Sequence, residues 1–328
     1  MKFINRPIMI WIKLVFSTFT FLILATVVTV IFATYRTQNA EKRAPMRGKL
    51  VTGVGGATVH VETYGPSRAQ PLIMIHGMSG STYDMTHSLL AELEDEFRIY
   101  VVDRPGFGHS PVLQHGEDLQ SQARAIREAV FALDSRKPIV LGQSYGGAVA
   151  LSMALDTPEA LAALVLLSSP SHTWDGAPPL LHRVLTKPVI GKITAWLLAA
   201  YAPTAYINAQ VNTIFAPQSA PDGYMDAFQP MLSLRPNTLL LNARQRIALK
   251  AQLANMEVRY PTIGLPVESV HGTADKIVPH LVHAIPLDNR MQVNRLMELG
   301  GIGHMPHHTA LEDVEHAVHR AAARAALD

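Results

Sequence analysis

Apolar residues follow three different rhythms along this chain. Leu14 to Ala33 is an unbroken apolar run without a charge, and Ile8 to Ile12 extends it beyond Lys13. As a helix, a run of this length spans a hydrocarbon core. From residue 49 onward, short strand-like runs alternate with helical stretches. Lys49–Gly53 and Ala57–Thr63 alternate in polarity around a Gly-Gly turn and predict a β-hairpin. Pro71–Ile75, Arg98–Asp103, Pro138–Leu141 and Ala163–Leu167 are continuous apolar runs, the pattern of strands buried on both faces. Met85–Glu94 and Leu119–Leu133 have helical spacing, and Ala148–Ala154 reads as a buried helix.

The third rhythm runs from Ser171 to about Tyr260. Helical stretches appear at Leu180–Arg183, Ile193–Tyr201, Ala205–Phe215, Tyr224–Leu234 and Leu239–Met256, with no strand among them. This is too long for one loop in a compact domain and predicts an inserted helical lid. Val267–His271 and Gln292–Leu299 then resume the strand pattern, and Leu311–Leu327 closes the chain as a helix. The fold class expected is α/β, with a mostly parallel eight-stranded sheet flanked by helices. Residues 1–36 read as a membrane anchor, 37–48 as a linker, 49–170 and 261–328 as the α/β core, and 171–260 as the lid.

The apolar run does not look like a cleaved signal peptide, which has a shorter core and a small-residue cleavage site that Ala33-Thr34-Tyr35 does not provide. A single-pass N-terminal membrane anchor is the expectation. Its orientation stays open. Lys2, Arg6 and Lys13 precede the span, while Arg36, Lys42, Arg43, Arg47 and Lys49 follow it, which favours a cytoplasmic C-terminal side. A large domain behind one N-terminal anchor is more often exported.

Composition narrows the chemistry. The 328 residues are 48% hydrophobic and 16% charged, with a net charge of +2 and no basic stripe in the body of the chain. Nucleic acid is therefore not an expected partner. The absence of cysteine excludes disulfides, thiolate catalysis and cysteine metal sites.

The stretch Gly142-Gln143-Ser144-Tyr145-Gly146 lies between an apolar strand and a buried helix. Such a Gly-x-Ser-x-Gly turn holds its serine in a strained conformation at the end of a strand and the start of a helix, where backbone N–H groups favour negative charge. A glycine-rich turn without chemistry is the plain alternative, so partners must be found. Asp275 and His304 each lie in a loop just after a late strand. In a parallel sheet those loops share one edge with Ser144, which puts a base and its orienting carboxylate within reach.

The chain from about residue 49 to the C-terminus resembles the α/β-hydrolase fold superfamily, closest to the lidded group that includes esterases and carbon–carbon bond hydrolases. The matching motifs are His76-Gly77, Asp103-Arg104-Pro105-Gly106-Phe107-Gly108-His109-Ser110, Gly142–Gly147, His271–Pro279 and Gly303-His304-Met305-Pro306. The resemblance implies Ser144 as nucleophile, His304 as general base then acid, and Asp275 as its orienting carboxylate. It also implies an oxyanion hole from the backbone N–H groups of Met78 and Tyr145, each donor contributing about 3 kcal/mol. His76 and Gly77 would support that loop, and Asp103 would organise its turn.

The function expected is a serine hydrolase that cleaves a carboxylic ester of a small or medium apolar substrate through an acyl-enzyme. Carbon–carbon bond hydrolysis on the same fold is an alternative, as is a non-catalytic ligand-binding accessory protein. Dehalogenase and epoxide hydrolase chemistry is disfavoured, because similar families have an aspartate where Ser144 stands. No cofactor is implied. His109, His271, His280, His283, His307 and His308 read as solvated or structural rather than metal-binding, because no carboxylate-and-histidine pattern marks a defined face. Trp174, Trp196, Phe215, Tyr224 and Phe228 are candidates to shape a cavity, although aromatics on such helices are more often core.

Overall fold

Alternation within the strands fixes which side chains face each layer of this α/β sandwich. The computed structural model describes residues 6–327, so residues 1–5, Lys2 among them, and residue 328 lie outside the described part. The strands are β1 (Lys49–Thr52), β2 (Thr58–Tyr64), β3 (Gln70–Ile75), β4 (Phe97–Val102), β5 (Ile139–Gln143), β6 (Ala163–Leu167), β7 (Val267–Gly272) and β8 (Asn294–Leu299). They form one sheet in the order β1-β2-β4-β3-β5-β6-β7-β8. Pairing is parallel from β4 through β8, and β2 runs antiparallel to both of its neighbours. Eight mostly parallel strands are thus what the periodicity led one to expect.

Ile73, Ile75, Val140 and Leu164 point to one face, where they pack under the helices Leu119–Phe131 and Tyr145–Asp156. Leu72, Met74, Ile139, Leu141 and Val165 point to the other, against the C-terminal helix Leu311–Ala325. In chain order the helices are α1 (Arg6–Arg43), α2 (Thr82–Thr86), α3 (Leu90–Leu93), α4 (Leu119–Phe131), α5 (Tyr145–Asp156), α6 (Leu180–Leu185), α7 (Ile190–Tyr201), α8 (Thr204–Phe215), α9 (Tyr224–Phe228), α10 (Pro236–Glu257), α11 (His280–Arg290), α12 (Pro306–Thr309) and α13 (Leu311–Ala325). Five of them, α6 to α10, form the insertion between β6 and β7.

Three elements differ from the sequence reading. The segment expected as one helix over Met85–Glu94 is split into α2 and α3 by an irregular turn at 87–89. Helix α11 has no counterpart in the reading, because Pro286 and scattered histidines obscure its apolar face of Ala284 and Leu287. The linker begins later than residue 37. Helix α1 continues to Arg43, and only the segment 44–48 connects it to β1.

Tertiary contacts carry α1 past its apolar run. Arg36 donates to the carbonyls of Ala200 (2.7 Å) and Ala202 (3.0 Å), where the last turn of α7 leaves acceptors free and the helix dipole favours a cation. Ala40 and Ala44 pack on Leu232 of the insertion. Pro45 then disfavours helical geometry at the preceding residue. The apolar part of α1 is exposed along most of its length, and it is long and apolar enough to cross a membrane.

Candidate active site

Close backbone packing shapes the turn after β5. Ser144 sits at φ +49°, ψ −121°, a region that residues with a side chain rarely occupy. A Cβ on Gly142 would lie 2.4 Å from Gly146 O, and one on Gly146 would lie 2.3 Å from Ile75 O. The two glycines therefore let the chain double back tightly and let α5 pack directly on the end of β3. The Ser144 N–H is tied to Leu167 O of β6 (2.8 Å), which further pins the turn.

The three side chains singled out by the sequence meet here. His304 Nε2 lies 3.0 Å from Ser144 Oγ, and His304 Nδ1 lies 2.7 Å from Asp275 Oδ2. All three residues are buried. Asp275 Oδ1 accepts from the backbone N–H groups of Ile277 (2.8 Å) and Val278 (2.9 Å). His271 Nε2 donates to Val278 O (2.7 Å) and stands 3.4 Å from Asp275 Oδ2. Burial opposes ionisation of Asp275, but the His271 and His304 imidazoles and the Val278 N–H outweigh it and hold the carboxyl well below the usual carboxylate range. With Nδ1–H given to Asp275, the His304 ring presents Nε2 as an acceptor to the Ser144 hydroxyl. Such an arrangement is able to draw the proton from a serine as the serine attacks a carbonyl.

The expected oxyanion donors flank Ser144. Tyr145 opens α5, so its N–H has no partner within the helix. Met78 follows His76-Gly77 on the loop after β3, and both residues line the same cavity as Ser144. The His76 ring is held by backbone groups on both nitrogens. Its Nδ1–H donates to Gly77 O (2.8 Å) and its Nε2 accepts from Arg104 N–H (2.9 Å). Burial and the neighbouring Arg104 charge push its pKa down to about 4. A neutral ring is what this donor–acceptor pairing requires. Gly77 is confined too, since a Cβ there would meet Gln143 Oε1 at 2.2 Å.

Arg104 belongs to the Asp103–Ser110 motif, but its role is not legible in the sequence. Its guanidinium is fully buried and donates to His76 O (3.1 Å), Gly77 O (3.0 Å), Gln122 Oε1 (2.8 Å) and Gln245 Oε1 (2.9 Å). It lies between the rings of Phe107 and Tyr145, 4.4 and 4.5 Å from their centroids. One cation thus ties the carbonyls of the Gly77 loop to α4 and to α10 of the insertion. Asp103 organises its loop, as expected, by accepting from Thr82 N–H and His109 N–H (both 2.8 Å) and by pairing with His60 Nδ1 (2.7 Å).

A cavity of about 820 Å³ opens between this edge of the sheet and the insertion. Leu181 and Leu185 of α6, Ile207 and Val211 of α8, Phe228 of α9 and Leu249 of α10 give it a largely apolar wall. Of the aromatic candidates, Trp174, Tyr224 and Phe228 line it. Trp196 instead packs beside Ala33 of α1, and Phe215 stacks edge-on against Tyr224.

An eight-stranded sheet of this order, with a strand–serine–helix turn at its centre and an aspartate and a histidine on the loops after β7 and β8, defines the α/β-hydrolase class. The chain belongs to the α/β-hydrolase fold family, whose model matches residues 70–311, and it is a hydrolase. A pimeloyl-[acyl-carrier protein] methyl ester esterase of Vibrio atlanticus is 30% identical over 224 residues, which cover 67% of this chain and 80% of that protein. An esterase from Exiguobacterium antarcticum shares the fold at a TM-score of 0.67 and 21% identity, over 84% of this chain and 99% of the esterase. A bacterial membrane phospholipase A shares it at a TM-score of 0.66 and 17% identity, over 94% of this chain and 98% of the phospholipase.

Proposed function

We propose that this protein is a membrane-anchored serine hydrolase that cleaves the carboxylic ester of an apolar acyl substrate through an acyl-enzyme. The observation that carries the reading is the continuous relay from Asp275 Oδ2 through His304 to Ser144 Oγ, at 2.7 and 3.0 Å, facing an apolar cavity. Ser144 Oγ attacks the ester carbonyl as His304 Nε2 takes its proton. Asp275 stabilises the imidazolium formed, and the N–H groups of Met78 and Tyr145 receive the oxyanion. His304 then protonates the leaving alkoxide. A water activated by the same ring hydrolyses the acyl-enzyme. Its esterase relative in Vibrio, which acts on a methyl ester, supports an ester as the bond attacked.

Membrane attachment rests on α1 and on what lies beside it. Val189, Ile190, Ile193 and Leu197 leave an exposed apolar face on and just before α7, the helix to which Arg36 and Thr29 of α1 are bonded through Ala200 O and Tyr201 Oη. Leu181 of α6 and Tyr206 of α8, the helices before and after α7 in the chain, are exposed and line the cavity. On this reading the insertion serves as a lid that rests on the bilayer and admits the acyl chain.

Fluorophosphonate labelling of the detergent-solubilised protein, joined to an acyl-chain series of esters, tests the proposal. The wild type should label and turn over esters, and Ser144→Ala should do neither. Equal labelling of Ser144→Ala, or turnover of vinylogous diketones in place of esters, would refute it.

A further inference from the structure

Three side chains outside the Ser144 site converge from distant parts of the chain. Asp84 stands in α2, and His307 and His308 stand in α12, more than two hundred residues later. Asp84 Oδ1 lies 3.2 Å from His308 Nε2 and 3.9 Å from His307 Nε2. One potential ligand atom from each of the three falls within 4.8 Å of the others. Nitrogen and oxygen donors placed tetrahedrally around zinc, at about 2.0–2.2 Å from it, stand about 3.3–3.5 Å apart. The two distances from Asp84 Oδ1 bracket that value.

His307 supplies the second observation. Its side chain is fully buried, yet among the described residues neither Nδ1 nor Nε2 has a hydrogen-bond partner. Buried nitrogens without partners are rare in native proteins. Its 3.9 Å separation from Asp84 Oδ1 is too long for a hydrogen bond but suits two ligands on either side of an ion. The surroundings are those of an oriented ligand set. His308 Nδ1 is held by Ser88 Oγ at 2.7 Å, and its Nε2 faces the centre, within hydrogen-bond distance of Asp84 Oδ1. Tyr224 donates to Asp84 Oδ1 at 2.7 Å. Outer contacts of this kind fix ring tautomer and carboxylate orientation at metal centres.

We propose that Asp84 Oδ1, His307 Nε2 and His308 Nε2 bind one divalent transition-metal ion of the zinc type. Two imidazoles and one carboxylate suit such an ion and not magnesium or calcium, which favour oxygen ligands. The site joins α2 to α12, and Tyr224 ties it to α9 of the insertion. Helix α12 begins two residues after His304, so a bound ion pins the loop that carries His304. Asp84 and Tyr224 also line the cavity, so the site borders the space in front of Ser144.

The experiment uses the full-length protein in detergent, stripped of metal by a chelator and titrated with zinc sulfate against a chromophoric chelator. One zinc per chain is expected, with a rise in the thermal midpoint. Asp84→Asn and His307→Gln should each weaken binding at least tenfold and abolish that rise. His316→Gln, at an exposed position of α13, should bind as the wild type does. X-ray absorption of the zinc form should show two imidazoles and a carboxylate oxygen. Should Asp84→Asn fail to fold, His307→Gln still decides, because its ring has no hydrogen-bond partner to lose. Ser144→Ala should bind zinc unchanged, so the outcome is independent of the ester reading. Absence of stoichiometric zinc, or affinity unchanged in the variants that fold, would overturn the proposal.

Discussion

Gly146→Ala tests whether the serine turn works through its close backbone contact. An added Cβ would lie 2.3 Å from Ile75 O, 2.6 Å from His76 O and 2.9 Å from Ile75 C. All three atoms are backbone, so no rotamer change relieves the overlap. Ordinary contact begins at 3.4 Å, and the start of α5 must move about 1 Å from the end of β3. Overpacking of this kind costs about 1–3 kcal/mol of stability. The functional consequence is larger. The shift carries Tyr145 N–H and Ser144 away from the Met78 loop and widens the gap in which the oxyanion would sit. A displacement near 1 Å, or loss of one oxyanion donor, lowers kcat about 10²–10³-fold. The assay is hydrolysis of a short-chain nitrophenyl ester, with circular dichroism and thermal unfolding as controls for folding. A folded variant with kcat within a few-fold of the wild type would refute the reasoning, because α5 would then have moved without disturbing the site.

Two further outcomes follow from the buried groups behind the site. Arg104→Met removes the donor shared by His76 O, Gly77 O, Gln122 Oε1 and Gln245 Oε1, and should destabilise the protein by about 3–5 kcal/mol in urea unfolding, with esterase activity falling further than stability. A loss below about 1 kcal/mol would show that the network is replaceable. His76, with its pKa pushed from 6.5 to about 4 in the folded state, makes stability depend on acid. Between those values the unfolded chain binds a proton that the native ring refuses, so stability falls as pH drops from 6.5 to 4, by up to about 3 kcal/mol from this ring alone. Unfolding midpoints of wild type and His76→Asn over that window check it; an unchanged slope in the variant would assign the acid sensitivity elsewhere.

Much of this protein was determined by local pattern. Continuous apolar runs such as Leu72–Ile75 and Leu164–Leu167 are short, end at turn residues and read as strands covered on both faces, and the Gly142–Gly147 turn announces its geometry because few other residues tolerate it. The loop positions of Asp275 and His304 placed them on the edge of Ser144, since parallel strands present one common end. Other features depended on partners far away in sequence. Helix α1 runs to Arg43 because α7 and Leu232 receive it, and no local signal marks that docking. Arg104 reads as an ordinary loop arginine until Gln122 and Gln245 arrive from two helices to solvate it. Nothing near His307 and His308 in the sequence marks Asp84 as their carboxylate partner. Packing of α2 against α12 brings Asp84 to them, and ligand geometry of that kind belongs to tertiary structure because its atoms come from segments that only folding joins.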